Sequence, residues 1–254
     1  MPTKPTRPSS PSNSAQKNNT KAAAPKIAAR ASDGSPAKPS KTGKRATGAC
    51  KEDKTTRAIK NVCVYCGSGH GTNPIYAEAA RTLGQSLAES KIGLVYGGGG
   101  LGLMGEVARA TLKGGGRVTG IIPEFLTRKE HMLRDVNELM ITKDMHERKR
   151  EMFERSDAFV ALPGGIGTLE ELVEQLTWSQ LGQHAKPIVV ANIAGFWNPF
   201  LKLLAHMRDD QFIRNGINVH FIVVDDAKAI VPAILATTKA MTQEVSDAAI
   251  TAKF

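Results

Sequence analysis

The chain has 254 residues and a formal charge of +10, from 34 Lys and Arg against 24 Asp and Glu. Residues 1–60 hold 14 of the basic residues and 3 of the acidic ones, leaving 20 and 21 elsewhere, so the basicity belongs to an N-terminal arm and the remainder is near neutral. No apolar run approaches the roughly 20 residues of a membrane span, no apolar segment marks a secretory leader, and three cysteines make no disulfide framework; the expectation is a soluble, cytoplasmic protein.

The arm is Pro, Ser, Thr, Ala and Lys with almost no large apolar side chains, a composition that cannot bury enough surface to offset its ordering entropy. Residues 1–58 are therefore expected to be a disordered basic tail. A basic arm can bind nucleic acid or an anionic surface, but its lysines are scattered among prolines with no aromatic interleaved to stack on bases, which argues against specific nucleic-acid binding. Its Ser- and Arg-containing, acid-poor composition also fits an organelle transit peptide, although seven prolines spoil the amphipathic helix such peptides favour.

From residue 61 onward, short runs rich in Val and Ile alternate with stretches of helical period, the pattern of βαβ units around a parallel sheet. Strands are predicted at 62–66, 92–96, 117–122, 138–142, 158–162, 187–192 and 221–224. Helices are predicted near 74–90, 102–115, 144–155, 168–182, 197–213 and 227–240. The expected organisation is a single α/β domain over 59–245, followed by a short tail at 246–254. Cys63 and Cys66 have C-x-x-C spacing, but three residues along a strand put the thiols on opposite faces, so they read as buried structural thiols.

Three strand ends run into small residues: Gly67-Ser68-Gly69, Gly97 to Gly100, and Pro163-Gly164-Gly165. Open α/β sheets bind ligands at such carboxyl ends. The last loop continues as Ile166-Gly167-Thr168-Leu169-Glu170-Glu171. Its glycines let backbone amides approach a phosphate, and the positive end of the following helix adds roughly half an elementary charge of attraction. Thr168-x-x-Glu171 equally fits a capping box, in which threonine and glutamate satisfy the helix's own first amides. The middle loop carries Gly100-Leu101-Gly102-Leu103-Met104-Gly105, which satisfies the G-x-G-x-x-G dinucleotide fingerprint, with Glu124 near the end of the next strand as the ribose acid. A nicotinamide-dependent oxidoreductase is therefore one reading. A second glycine loop with its own helix-borne carboxylate weakens it.

Met145 and Met152 are seven apart with Arg148 between them, so Arg148 shares the apolar face of its helix. A core-directed arginine needs an anion, and a glutamate or phosphate at the glycine loops would supply one. The competing reading is a structural ion pair or snorkelling to solvent. Lys149 points elsewhere and reads as solvated. No histidines have metal-ligand spacing, and no metal or cofactor is called for.

Three segments together resemble the Lonely Guy (LOG) cytokinin-activating enzymes, the nucleoside 5′-monophosphate phosphoribohydrolases. Pro163 to Glu171 matches the family's P-G-G-x-G-T-x-x-E, Met145 to Met152 its M-H-x-R-K-x-x-M helix, and Gly97 to Gly105 its G-G-G-x-x-G-L-M-G loop; Cys63 to Ser68 is similar to its first strand and loop. The resemblance covers about residues 61–240. It implies a Rossmann-like doubly wound parallel sheet, usually as a homodimer. It further implies an N-glycosidase, AMP nucleosidase-like, that cleaves (cytokinin) nucleoside 5′-monophosphates to free adenine-type base and ribose 5-phosphate.

By position the resemblance carries substrate contacts to Glu130, Arg148, Lys149, Gly164, Gly165, Ile166, Gly167, Thr168, Leu169, Glu170, Glu171 and Thr177, with Ser68, Gly98, Gly99 and Met104 as further loop contacts. Glu130 sits in a segment carrying Arg128-Lys129-Glu130 where the family commonly has Pro-Arg-Glu. Glu171 is the expected catalytic carboxylate, stabilising oxocarbenium character on the ribose while positioning water. Arg148 would hold the phosphate or orient Glu171. Many such relatives carry a lysine decarboxylase label, but no residue set here supports a Schiff-base lysine with its pyridoxal phosphate. The remaining alternative is a nucleotide-binding carrier or regulatory module without turnover.

Overall fold

The protein is seen here as a computed structural model that describes residues 58–127, 131–213 and 220–251, with side chains as far as residue 240. Its elements are β1 (Asn61–Tyr65), α1 (Ile75–Glu89), β2 (Gly93–Tyr96), α2 (Gly102–Lys113), β3 (Val118–Pro123), β4 (Glu138–Thr142), α3 (Met145–Glu154), β5 (Ala158–Ala161), α4 (Ile166–Gln180), β6 (Ile188–Ala191), α5 (Asn198–Asp209), β7 (Ile222–Val224) and α6 (Ile230–Thr251). The strands form one parallel sheet in the order β4-β3-β2-β1-β5-β6-β7. Among the described residues no helix is long and apolar enough to cross a membrane.

Helices cover both faces, so the central strands are apolar on both sides. Val62 and Val64 of β1 face a core built with Leu83 and Leu87 of α1, Val107 of α2 and Ile230 and Ile234 of α6. Cys63 and Tyr65 face the other core, with Met152 of α3, Leu172 and Leu176 of α4, and Trp197 just before α5. Cys66 belongs to the first core and Cys63 to the second, so the two thiols are on opposite faces, both free and buried. Burial pushes both thiols well above the ordinary thiol range, with the Glu171 charge adding to the effect.

The strand order reverses between β1 and β5. That seam is stitched at both ends. The Asp157 carboxylate accepts the amides of Lys60 and Asn61 at 2.8 and 3.0 Å. At the other end the Leu162 amide donates to the Tyr65 carbonyl and the Gly67 amide to the Pro163 carbonyl, at 2.9 and 3.1 Å. A sheet with this switch leaves a crevice outside the carboxyl ends of its strands, at the β1–β5 boundary.

Element ends differ from expectation in instructive places. Helix α4 begins at Ile166, not Thr168, because Gly165 holds an extended conformation and serves as its cap with no side-chain hydrogen bond. Thr168-x-x-Glu171 is therefore no capping box: Thr168 lies inside the first turn and Glu171 in the second. The box-like exchange belongs to α3, where the Glu147 amide donates to Asp144 and the Lys143 amide to the Glu147 carboxylate, at 2.8 and 2.7 Å. Helix α6 runs to Thr251, well past 240, and α5 ends at Asp209 rather than 213.

Helices α1 and α2 approach closely at Gly84, where a Cβ would lie 2.5 Å from the Val107 carbonyl oxygen and 2.8 Å from Ala110 Cβ. Alanine in a helix interior is normally about 1 kcal/mol better than glycine. Here overpacking, at about 1–3 kcal/mol, outweighs it: Gly84→Ala should lower the midpoint of thermal unfolding.

Candidate active site

The loops after β1, β2 and β5 meet at the crevice. Gly67 packs on the third loop, since a Cβ on it would stand 3.4 Å from Gly164 Cα. Gly102, at φ +57°, packs so tightly on the backbone of Ser68 and Gly69 that no side chain fits. The Gly67 carbonyl accepts the amides of Leu103 and Met104 at 3.0 and 3.3 Å. The first turn of α2 is thus capped from within by the β1 loop, over the positions a dinucleotide fingerprint offers to a pyrophosphate. This corrects the dinucleotide reading: Glu124 does stand exposed past β3, but its helix end is engaged.

The start of α4 is different. Among the described residues, the amides of Gly165, Ile166, Gly167 and Thr168 donate to no carbonyl or side chain, while the intrahelical bonds begin with Leu169 to Gly165 at 3.0 Å. Four amides with unspent hydrogens, at the positive end of a 15-residue helix, form an anion cradle. Thr168 is buried, its hydroxyl tucked against Gly164; Gly165, Ile166 and Gly167 are exposed.

Beside the cradle lies a pair of charges out of water. Arg148 of α3 and Glu171 of α4 are each 8% exposed, with Arg148 Nη1 3.6 Å from Glu171 Oε1. That is a charge contact, too long for a hydrogen bond. Arg148 Nε donates to the Ile121 carbonyl at 3.1 Å, which anchors the guanidinium to β3. Burial lifts the Glu171 carboxyl to about 7, the Arg148 charge opposing the lift without cancelling it. A carboxyl half-ionised near neutrality can accept and return a proton at working pH.

Lys149 is not solvated. Its ammonium binds Glu170 and Glu174 of α4 at 2.7 and 2.8 Å and ties α3 to α4. Burial works to lower its pKa, but the hydrogen bonds to those two carboxylates raise it overall. Leu169 is half-buried against the second core. Met104 is buried below the β2 loop, and Ser68 is exposed on the β1 loop. Gly98 and Gly99 are buried and engaged by their neighbours: the Leu133 amide donates to the Gly98 carbonyl at 3.2 Å, and Gly99 bridges Met132. Thr177 lies exposed near the far end of α4, its hydroxyl bonded to Val173. Glu130 lies outside the described residues. Two contributors escaped the sequence reading: the Ile121 carbonyl, which no side-chain pattern reports, and Glu174, legible only as one turn beyond Glu170 on a helix face.

Residues 104–234 match a family described as "Possible lysine decarboxylase". Among curated proteins, the chain is 44% identical over 179 residues to the cytokinin riboside 5′-monophosphate phosphoribohydrolase LOG7 of Arabidopsis thaliana, covering 70% of this chain and 82% of that protein. It is 49% identical over 173 residues to the probable cytokinin riboside 5′-monophosphate phosphoribohydrolase LOGL9 of Oryza sativa subsp. japonica, covering 68% and 76%. Among solved structures, the Moco carrier protein of Chlamydomonas reinhardtii superposes with a TM-score of 0.54 at 20% identity, over 72% of this chain and 99% of that one. The molybdenum cofactor binding protein of Rippkaea orientalis gives 0.53 at 22%, over 71% and 98%. At those identities the likeness concerns the fold.

The raised carboxyl has a thermodynamic consequence. Because the folded-state pKa of Glu171 lies above its unfolded value, its contribution to stability is fully present below about 4.5 and is lost as pH rises through about 7. Glu171→Gln should therefore be more stable than the parent at pH 8, on the order of 1–3 kcal/mol, and indistinguishable from it near pH 4. Thermal unfolding across that range measures the difference.

Proposed function

The chain belongs to the family of cytokinin riboside 5′-monophosphate phosphoribohydrolases, and on that footing we propose that it hydrolyses the N-glycosidic bond of an adenine-type nucleoside 5′-monophosphate, releasing free base and ribose 5-phosphate. The observation that carries the reading is one buried carboxyl, Glu171, with a pKa of about 7, set one turn beyond four free amides at the start of α4.

Those amides hold the 5′-phosphate, and the helix dipole supplies attraction without a mobile cation. With the phosphate anchored, the ribose lies over Glu171. As the C1′–N bond stretches, positive charge grows on the ring, and the ionised carboxylate stabilises it in a site shielded from water. Glu171 also orients the attacking water and takes its proton. The water oxygen becomes the anomeric hydroxyl of ribose 5-phosphate, and the proton leaves with the purine. Arg148 sets the carboxylate's orientation and keeps part of it ionised at neutral pH. Lys149, bound to Glu170 and Glu174, fixes α3 against α4 and so fixes Arg148 against Glu171.

The lysine decarboxylase description does not fit these residues. A Schiff-base lysine needs a neutral amine, whereas Lys149, the lysine beside the cradle, is held charged by two carboxylates.

The proposal extends to assembly. The outer face of α4 and its C-terminal cap carry Ile166, Val173 and Leu181, exposed by 82, 42 and 68%, in line with Glu170 and Thr177. A second copy seated on that stripe covers it and brings Thr177, remote from the cradle of its own chain, toward the other subunit's substrate. We assign the activity to the domain from residue 59 through helix α6 in a cytoplasmic homodimer, with the basic arm outside the catalytic domain, and with AMP itself as a substrate.

Chromatography of AMP and of isopentenyladenosine monophosphate after incubation with the protein should show free adenine or isopentenyladenine together with ribose 5-phosphate; nucleotide binding with no free base would instead leave a carrier. Glu171→Ala should lower turnover by about 10²–10⁴-fold and keep the fold, and retained turnover would remove Glu171 from its role. Activity should rise with pH through about 7, as Glu171 ionises. Deleting residues 1–58 should leave the rate unchanged.

A further inference from the structure

We propose that Gly97 is a positioning residue for the catalytic pair: the lack of a side chain at the end of β2 is what allows the Arg148 guanidinium to lie beside Glu171. The inference rests on the hydrolase reading for its kinetic part and on packing alone for the rest.

Gly97 is the first residue past β2. A Cβ built on it clashes with Arg148 Nη2 and stands 3.1 Å from Met104 Sδ and 3.5 Å from Arg148 Cζ. The space that any other residue would fill is thus taken by the guanidinium, with the Met104 thioether on its flank. Backbone conformation does not impose glycine here, since Gly97 is absent from the residues with positive φ, whereas its neighbour Gly98 has φ +79°. Gly98 answers to the chain's path; Gly97 answers to Arg148.

The guanidinium is fixed on its other edges. Nε donates to the Ile121 carbonyl at 3.1 Å, Nη1 lies 3.6 Å from Glu171 Oε1 and 3.8 Å from Met145 Sδ, and the residue is 8% exposed. A methyl group at position 97 leaves too little room for Nη2 where it lies. Because the displaced atom is the far end of a flexible side chain, the arginine swings away and the backbone stays. Swinging away breaks the Ile121 contact or lengthens the Glu171 contact, and displacements near 1 Å at a reacting centre cost about 10²-fold in rate. The phosphate cradle on α4 is untouched by such a change, so the loss falls on kcat rather than KM.

The test is a cycle of Gly97→Ala, Arg148→Ala and the double variant, in the full chain. Gly97→Ala should lower kcat about 100-fold with KM for AMP changed less than about threefold, and should shift the acid limb of the pH–rate profile upward, in the same sense as Arg148→Ala. In the Arg148→Ala background the added methyl should cost no further activity. Unchanged kcat in Gly97→Ala, or losses that multiply in the double variant, would overturn the proposal. Thermal unfolding provides an arm that needs no turnover. Gly97→Ala should lower the midpoint more in the parent than in Arg148→Ala, where the guanidinium is gone and only Met104 Sδ, 3.1 Å away, has to give. An equal drop in both backgrounds overturns the steric assignment whatever the enzyme's substrate proves to be, while absence of turnover in the parent with the coupled thermal pattern intact would count against the hydrolase reading alone.

Discussion

The arrangement turns on keeping a carboxylate and a guanidinium together out of water. Each ion loses several kcal/mol of hydration on burial, so each must find compensation within the fold. Arg148 finds it in the Ile121 carbonyl and the Glu171 charge, and Glu171 finds only part of it in Arg148. Because the pair sits at 3.6 Å rather than in a bidentate fork, the carboxylate keeps acceptor capacity for another group. The surroundings serve that placement. The β1–β5 switch opens the crevice, α3 and α4 lie on the same side of the sheet, and Lys149 with Glu170 and Glu174 holds those helices in register.

Much of this was legible in the chain. The central strands announce themselves as continuous apolar runs because both of their faces are covered, and the edge strand β4 has the predicted bounds. Arg148 declared itself by sharing a face with two methionines. What misled was chemistry shared between caps and sites. Thr168 and Glu171 have the spacing of a capping box, yet glycine does the capping and the box-like exchange occurs at Asp144 and Glu147. Lys149 looked solvated because helical period shows which way a side chain departs, not which carboxylates await it on the next helix. The Ile121 carbonyl was invisible, as backbone acceptors are to any residue-type argument.

The two glycine loops show how one composition serves opposite ends. At α2 the glycines allow the β1 loop to press its own carbonyl onto the helix amides; at α4 they leave the amides open. A fingerprint regular expression does not distinguish the two, because it records where side chains are missing and not what moves into the gap. The same caution applies to fold likeness. Proteins described as a carrier and a binding protein of a molybdenum cofactor share this fold at about one residue in five, and what separates one use of the scaffold from another lies in a few side chains at the crevice.

Strand β1 is the middle of the sheet and the beginning of the fold, and its two neighbours arrive at very different times during synthesis. β2 follows it within some thirty residues, but the Asp157 carboxylate that caps its start is 97 residues away in sequence. On the ribosome, the β4-β3-β2-β1 half is complete while β1 is still an open edge, apolar and ready to pair with any other nascent strand. The switch point that makes the crevice therefore closes only when β5 arrives, and the seven residues from Pro163 to Leu169 are placed only then, with the open edge passing to β5 until β6 follows.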